Sequence, residues 1–168
     1  MTDSRLPFFT FGAVLLAVAT YVLATAVDLP PQVATHFGAR GAPDAWMNRH
    51  GYTVYIVAFA VAFPAFIAAA IGALPRVFPD RVSLPYRDYW LAPERRGATL
   101  AYLAAHACWL GCGTSLTAAA FHWLLLRASR LAPPRLEIDL FLAILAVSLV
   151  LLLAWILALF LRFRRPAA

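Results

Sequence analysis

The sequence predicts an all-α fold: an integral membrane four-helix bundle with an ordered extracytoplasmic loop between helices 1 and 2. Three observations predict it. Hydrophobic residues make up 63% of the 168-residue chain and charged residues only 13%, about half the usual charged share of a soluble domain. Mean hydropathy is +0.76. Four stretches, 7–27, 51–75, 97–126 and 140–161, contain no Asp, Glu, Lys or Arg, and each reaches the roughly 20 residues that a spanning helix needs. Residues 1–168 therefore read as a single transmembrane domain.

The first run, Phe8 to Val27, is longer than the apolar core of a signal peptide and is expected to stay as a helix. The outer loop, 28–50, opens with Leu29, Pro30 and Pro31, and paired prolines stop the helix. Gln32 to Phe37 alternates as a strand does, and Gly38 and Gly41 supply turns. Asp44, after Pro43, is expected to cap a short turn carrying Trp46. Val33, Phe37 and Trp46 are expected to fold back on the membrane surface.

Pro64 is expected to kink the second helix. The loop 76–96 follows, with five Arg and three acidic residues. The third run, about 30 residues, would be roughly 45 Å long as a helix, beyond a hydrocarbon core of about 30 Å. It must tilt, bend or extend, and Gly111-Cys112-Gly113 marks a bend or close-packing point. A connection with Pro133-Pro134 precedes the fourth run, and Arg162, Arg164 and Arg165 close the chain.

The net charge is +6 and every basic residue other than histidine is Arg. The arginines sit beside apolar runs rather than along one amphipathic face. That is a membrane-anchoring pattern and argues against nucleic acid as a partner. The N-terminal side, the loop 76–96 and the tail together hold nine Arg, against five in the two other connections. The richer side is expected to be cytoplasmic, which puts both termini inside a bacterial cytoplasmic membrane and the loop 28–50 outside.

Several residues carry chemistry in principle. His36 and Asp44, with His50 nearby, suit a loop-stabilising hydrogen bond, contact with a ligand, or a metal. His106 and His122 lie in the third run but point roughly 160° apart on one helix, so they cannot share a site from that helix alone. Each reads as a packed or interfacial histidine, His122 beside Trp123, with cofactor ligation as the competing reading. Cys108 and Cys112 lie on one helical face and do not bridge easily. Gly111, Gly113, Ser115 and Thr117 suit close helix packing or a seam with a partner. Arg87, Tyr89, Trp90, Glu94, Arg95 and Arg96 suit contact with lipid headgroups or a cytoplasmic partner. No nucleophile–base set, phosphate loop or paired-carboxylate motif appears, so no enzyme activity and no cofactor are expected.

The order Leu29, Pro30, Val33, His36, Phe37, Gly41, Pro43, Asp44, Trp46 after one span resembles the domain of unknown function that opens SdpI-type membrane proteins. The segment Leu84 to Arg96, with Tyr86, Arg87, Asp88, Tyr89, Trp90, Pro93 and Glu94, resembles the cytoplasmic stretch of small members of that group. The resemblance covers about the first 100 residues and extends loosely to Phe121-His122-Trp123. It implies sensing, immunity against a secreted toxic peptide, or signal relay through the outer loop. Its best-known members have more than four spans and also hold a repressor at the membrane. An accessory subunit packed on a larger membrane complex is the alternative.

Overall fold

The fold was described from a computed structural model, which covers residues 5–78 and 81–164; Arg165 and the start of the chain lie outside them. Four helices are long and apolar enough to cross a membrane: Leu6–Ala26, Arg49–Val77, Pro93–Ser129 and Ile138–Arg162. In element terms the first is α1, the second joins α2 (Arg49–Val57) to α3 (Phe63–Val77), a short α4 (Arg87–Trp90) follows, and the third and fourth spans are α5 and α6.

The helix boundaries have local causes. Leu29 and the two prolines after it end α1. Asn48, in extended conformation, starts α2, its side chain accepting from the Gly51 amide at 2.7 Å. Pro93 sits in the first turn of α5, where a missing N–H costs nothing. This helix is 37 residues long. It runs unbroken through Gly111-Cys112-Gly113. The extra length lies in charged extensions, Pro93–Arg96 and Arg127–Ser129, that carry the helix past its apolar run.

The second span is irregular where Pro64 predicts it. Residues Ala58–Ala62 form a π-turn, closed by the Phe63 amide bonding to the Ala58 carbonyl. Proline offers no N–H to the carbonyl four residues back, here that of Ala60. Ser115 on α5 donates to that oxygen at 2.6 Å, so the neighbouring helix supplies what the proline withholds.

The described chain is mostly helical, as expected, with one addition: the first connection is an antiparallel hairpin, β1 (Gln32–Phe37) with β2 (Pro43–Asn48). Register shifts between Ala34 and His36 leave Thr35 as a bulge. Asp44 caps no turn; it lies within β2.

Helix α5 is the centre of the bundle. It packs against α1, against the second span and, along one flank, against α6. Lipid tails are as apolar as leucine, so close packing rather than escape from water holds these helices together. Gly111 shows the tolerance: a Cβ there would lie 2.5 Å from the Phe11 ring of α1. The largest buried cluster sits at the hairpin end, where Val18, Val22, Ala26, Leu29, Val33, Tyr52 and Ile56 meet Ala118 and Leu126. A second lies midway, around Phe11, Ala68, Ala107, Cys108 and Cys112. A third, around Leu100, Leu103 and Phe163, lies at the opposite end. Both cysteines are free and buried.

Candidate functional site: the hairpin and the buried histidine beneath it

The hairpin is pinned to the bundle at both ends. Val33 and Ala34 are buried, and the Arg49 amide bonds to the Pro31 carbonyl at 3.0 Å. At the tip, Gly41 adopts φ +76°, a backbone region open to glycine. Its carbonyl accepts from the Leu136 amide at 2.9 Å, and a Cβ on Gly41 would run into the Leu136 carbonyl. The first and third connections therefore share one end of the molecule.

His36 and Asp44 meet on the exposed surface of this hairpin, His36 Nδ1 against Asp44 Oδ1. Trp46, also on the hairpin, stays 49% exposed, whereas Val33 is buried in the bundle rather than laid on a membrane surface. Phe37 is half-buried, and Pro43 pairs with it across the strands. His50 stands apart in a separate hollow of about 520 Å³ lined by Leu23, Arg49 and Thr53. Among the described residues, no three His, Cys, Asp or Glu side chains group to hold a metal.

The arrangement least visible in the sequence lies directly below. His122 is fully buried; its neighbour Trp123 takes the exposed position, with the Arg127 guanidinium 5.1 Å over its ring. Thr25 Oγ1 lies 2.7 Å from the Tyr21 carbonyl and 2.9 Å from His122 Nε2. A hydroxyl has one proton. With that proton on the Tyr21 carbonyl, Thr25 accepts from His122 Nε2–H, and Nδ1 is left to accept from the Tyr52 hydroxyl at 2.7 Å. The network thus assigns the tautomer. One directed chain, Tyr52 to His122 to Thr25 to the Tyr21 carbonyl, ties the second, third and first spans together. Tyr52 stacks on the imidazole at 5.7 Å and Tyr21 meets it edge-on at 5.6 Å.

A hollow of about 320 Å³ connects the two layers. Thr35 and Phe37 of the hairpin and Leu136 line it on one side, Tyr52 and His122 on the other, with Phe121 and Phe141 among its walls. It is a half-open, mostly apolar hollow with one hydrogen-bonded polar edge, and the hairpin forms part of its wall.

The other predicted residues scatter. Gly111 faces α1, Ser115 faces the second span, and Thr117 Oγ1 meets Ser148 Oγ of α6 at 3.0 Å. Gly113 lines an open groove with Thr114, Trp109 and Trp155. Three of these four small residues therefore make contacts within the bundle. His106 clips α6 to α5: its Nε2–H donates to the Trp155 carbonyl at 3.1 Å, Trp155 Nε1–H donates back to the His106 carbonyl at 2.9 Å, and the rings stack at 4.5 Å.

At the far end, Tyr89 and Trp90 meet edge-on at 5.0 Å, and the Thr99 hydroxyl donates to the Trp90 carbonyl at 2.8 Å. Arg95 lies over Tyr89 and Arg162 over Trp90. Arg87 opens α4, while Glu94 and Arg96 are exposed in the first turns of α5.

The sequence signal for His122 was present. Ala104, Cys108, Gly111, Ser115, Ala118 and His122 recur every three or four residues, the period of one helix face, and all six are buried. A histidine on a stripe of small buried residues faces the bundle interior. No curated protein and no solved structure matches the chain. Residues 12–62, running from the first span through the hairpin into the π-turn of the second, match the family described as Domain of unknown function (DUF1648).

Proposed function

We propose that this chain is a non-enzymatic membrane protein that recognises a ligand at the hairpin face and passes the event to the bundle, as a sensor, an immunity protein or a signal relay of the SdpI-like kind. A peptide is the ligand class the resemblance favours. The hairpin face is extracytoplasmic in this reading, both termini are cytoplasmic, and the membrane is the bacterial inner membrane. The observation that carries the proposal is the stacking of two layers. An exposed His36–Asp44 pair with Trp46 sits on a hairpin fixed at Gly41, and Thr35 and Phe37 of that hairpin line the same hollow as Tyr52 and His122 of the hydrogen-bond chain that joins three spans. A ligand that displaces the hairpin acts on those three spans at once.

The test is a phenotype assay with His36→Ala, Asp44→Ala and Trp46→Ala. Each is expected to abolish protection or signalling while the protein still accumulates in the membrane. Normal behaviour in all three would sink the idea. Sidedness is checked by labelling: Ala45→Cys reacts with an impermeant maleimide in intact cells, and Asp88→Cys only after lysis.

A second reading, an accessory subunit of a larger complex, draws on α6. It has no buried residue and packs mainly on α5, which leaves much of its surface open to another membrane protein. Stable co-purification in mild detergent supports it, and a clean monomer counts against it.

A further inference from the structure

At the end opposite the hairpin, two arginines are held in place without an acidic partner among the described residues. The Arg95 guanidinium lies 4.0 Å from the Tyr89 ring centre. Tyr89 meets Trp90 edge-on at 5.0 Å. Arg162 lies 4.6 Å from the Trp90 ring and 5.3 Å from that of Tyr102. Trp90 and Tyr102 both rest edge-on against Phe163, which is 1% exposed. The order is cation, ring, ring, cation, built on a buried phenylalanine.

Arginine presents five N–H donors and no acceptor. Among the described residues, neither Arg95 nor Arg162 makes an ion pair, although Asp88 and Glu94 are close in sequence. Stacking on an aromatic face leaves the edge of a guanidinium, where its N–H groups point, free for an anion. Trp90 Nε1, buried among these rings, also has no acceptor among the described residues. Among those residues the cluster holds more donors than acceptors.

The position selects the anion. Arg162 is the last residue of α6, immediately after Phe160 and Leu161, which are 64% and 55% exposed. An exposed apolar helix surface leads directly to a fixed guanidinium. That sequence of surfaces matches a phospholipid, acyl chain along α6 and phosphate at the arginines. Arginine meets phosphate through a planar fork, and a net-anionic headgroup gains most from two cations.

We infer that Arg95 and Arg162, set by Tyr89, Trp90 and Tyr102, form a binding site for the phosphate of an anionic phospholipid. This site is separate from the hairpin and does not depend on the function proposed for it.

The experiment uses the full chain in detergent, with native mass spectrometry after addition of equal dioleoyl phosphatidylglycerol and phosphatidylcholine. The wild type is expected to retain phosphatidylglycerol at least fivefold over phosphatidylcholine, and Arg95→Gln with Arg162→Gln to bring the ratio close to one. Arg95→Lys with Arg162→Lys, which keeps charge and loses the fork, is expected in between. Arg40→Gln, at the hairpin end, keeps the wild-type ratio. Arg95 is exposed and touches only Tyr89 among the rings, so Arg95→Gln alone must lower the ratio about threefold even if the Arg162 variant does not fold. A wild type without preference, or a double variant that keeps it, overturns the site. Displacement of phosphatidylglycerol by millimolar inorganic phosphate overturns the lipid assignment in favour of a free anion.

Discussion

Ser115 donates its hydroxyl proton to the carbonyl oxygen of Ala60, 2.6 Å away on the second span, and that carbonyl is the one Pro64 cannot serve. Ser115→Ala is therefore expected to destabilise the bundle by about 1–3 kcal/mol, the range for an orphaned buried acceptor. Pro64→Ala restores an N–H in the right place, so the double variant should recover part of the loss. A double-mutant cycle by reversible unfolding in mixed micelles measures the coupling. Purely additive effects would show that the two residues act independently.

The chain from Tyr52 through His122 to Thr25 makes a second prediction. Tyr52→Phe removes one hydroxyl and leaves His122 Nδ1 without a donor. Thr25→Val removes the acceptor of Nε2–H at the other side. Each should cost about 1 kcal/mol, since hydrogen bonds inside a membrane average about 0.6 kcal/mol and reach about 1.7. The two should be non-additive, because both act through one ring. Unfolding free energies of the single and double variants test this, and strict additivity would contradict a connected chain.

Gly41 supports a third prediction, at the hairpin tip. Gly41→Ala meets two obstacles, the positive φ and the Leu136 carbonyl. Strain of this kind costs about 1–3 kcal/mol, and here it can be relieved only by lifting the tip from the third connection. Faster amide hydrogen exchange in β1 and β2, with the four spans unchanged, is the expected signature. Arg40→Ala, one residue away and exposed, should leave exchange as in the wild type.

Much of the architecture is legible because a membrane span is a one-dimensional signal. Length and freedom from charge gave all four helices, with ends within a few residues except for α5. That helix outruns its apolar stretch because Pro93, Glu94, Arg95 and Arg96 are compatible with a helical first turn, and hydropathy does not register them. The first strand shows in the alternation of Gln32 to Phe37. The second does not, because Pro43-Asp44 is a turn signal and residues Asp44–Asn48 are all exposed, which leaves no buried face to betray a strand. The His122 chain is hidden for a different reason. Its members come from three spans, 97 residues separating Thr25 from His122, and a single-helix calculation tests only neighbours on one rod. The helix face was readable; the partners across the bundle were not.

The His36–Asp44 pair yields the last prediction, which separates function from stability. Both side chains are well exposed, 71% for His36 and 53% for Asp44. Exposed ion pairs contribute about 0–1 kcal/mol, and the hairpin is held elsewhere, by Val33, Ala34 and Gly41. His36→Ala and Asp44→Ala should therefore shift unfolding by less than about 0.5 kcal/mol while removing the phenotype assigned to the hairpin face. Val33→Asp should do the reverse in order of cause: it places a carboxylate in the buried cluster, lowers accumulation of the protein, and loses function only as a consequence. Membrane abundance measured beside phenotype distinguishes the two. If His36→Ala lowers abundance as strongly as Val33→Asp, the pair is part of the scaffold, and the recognition surface must be sought at Trp46 and the hollow behind it.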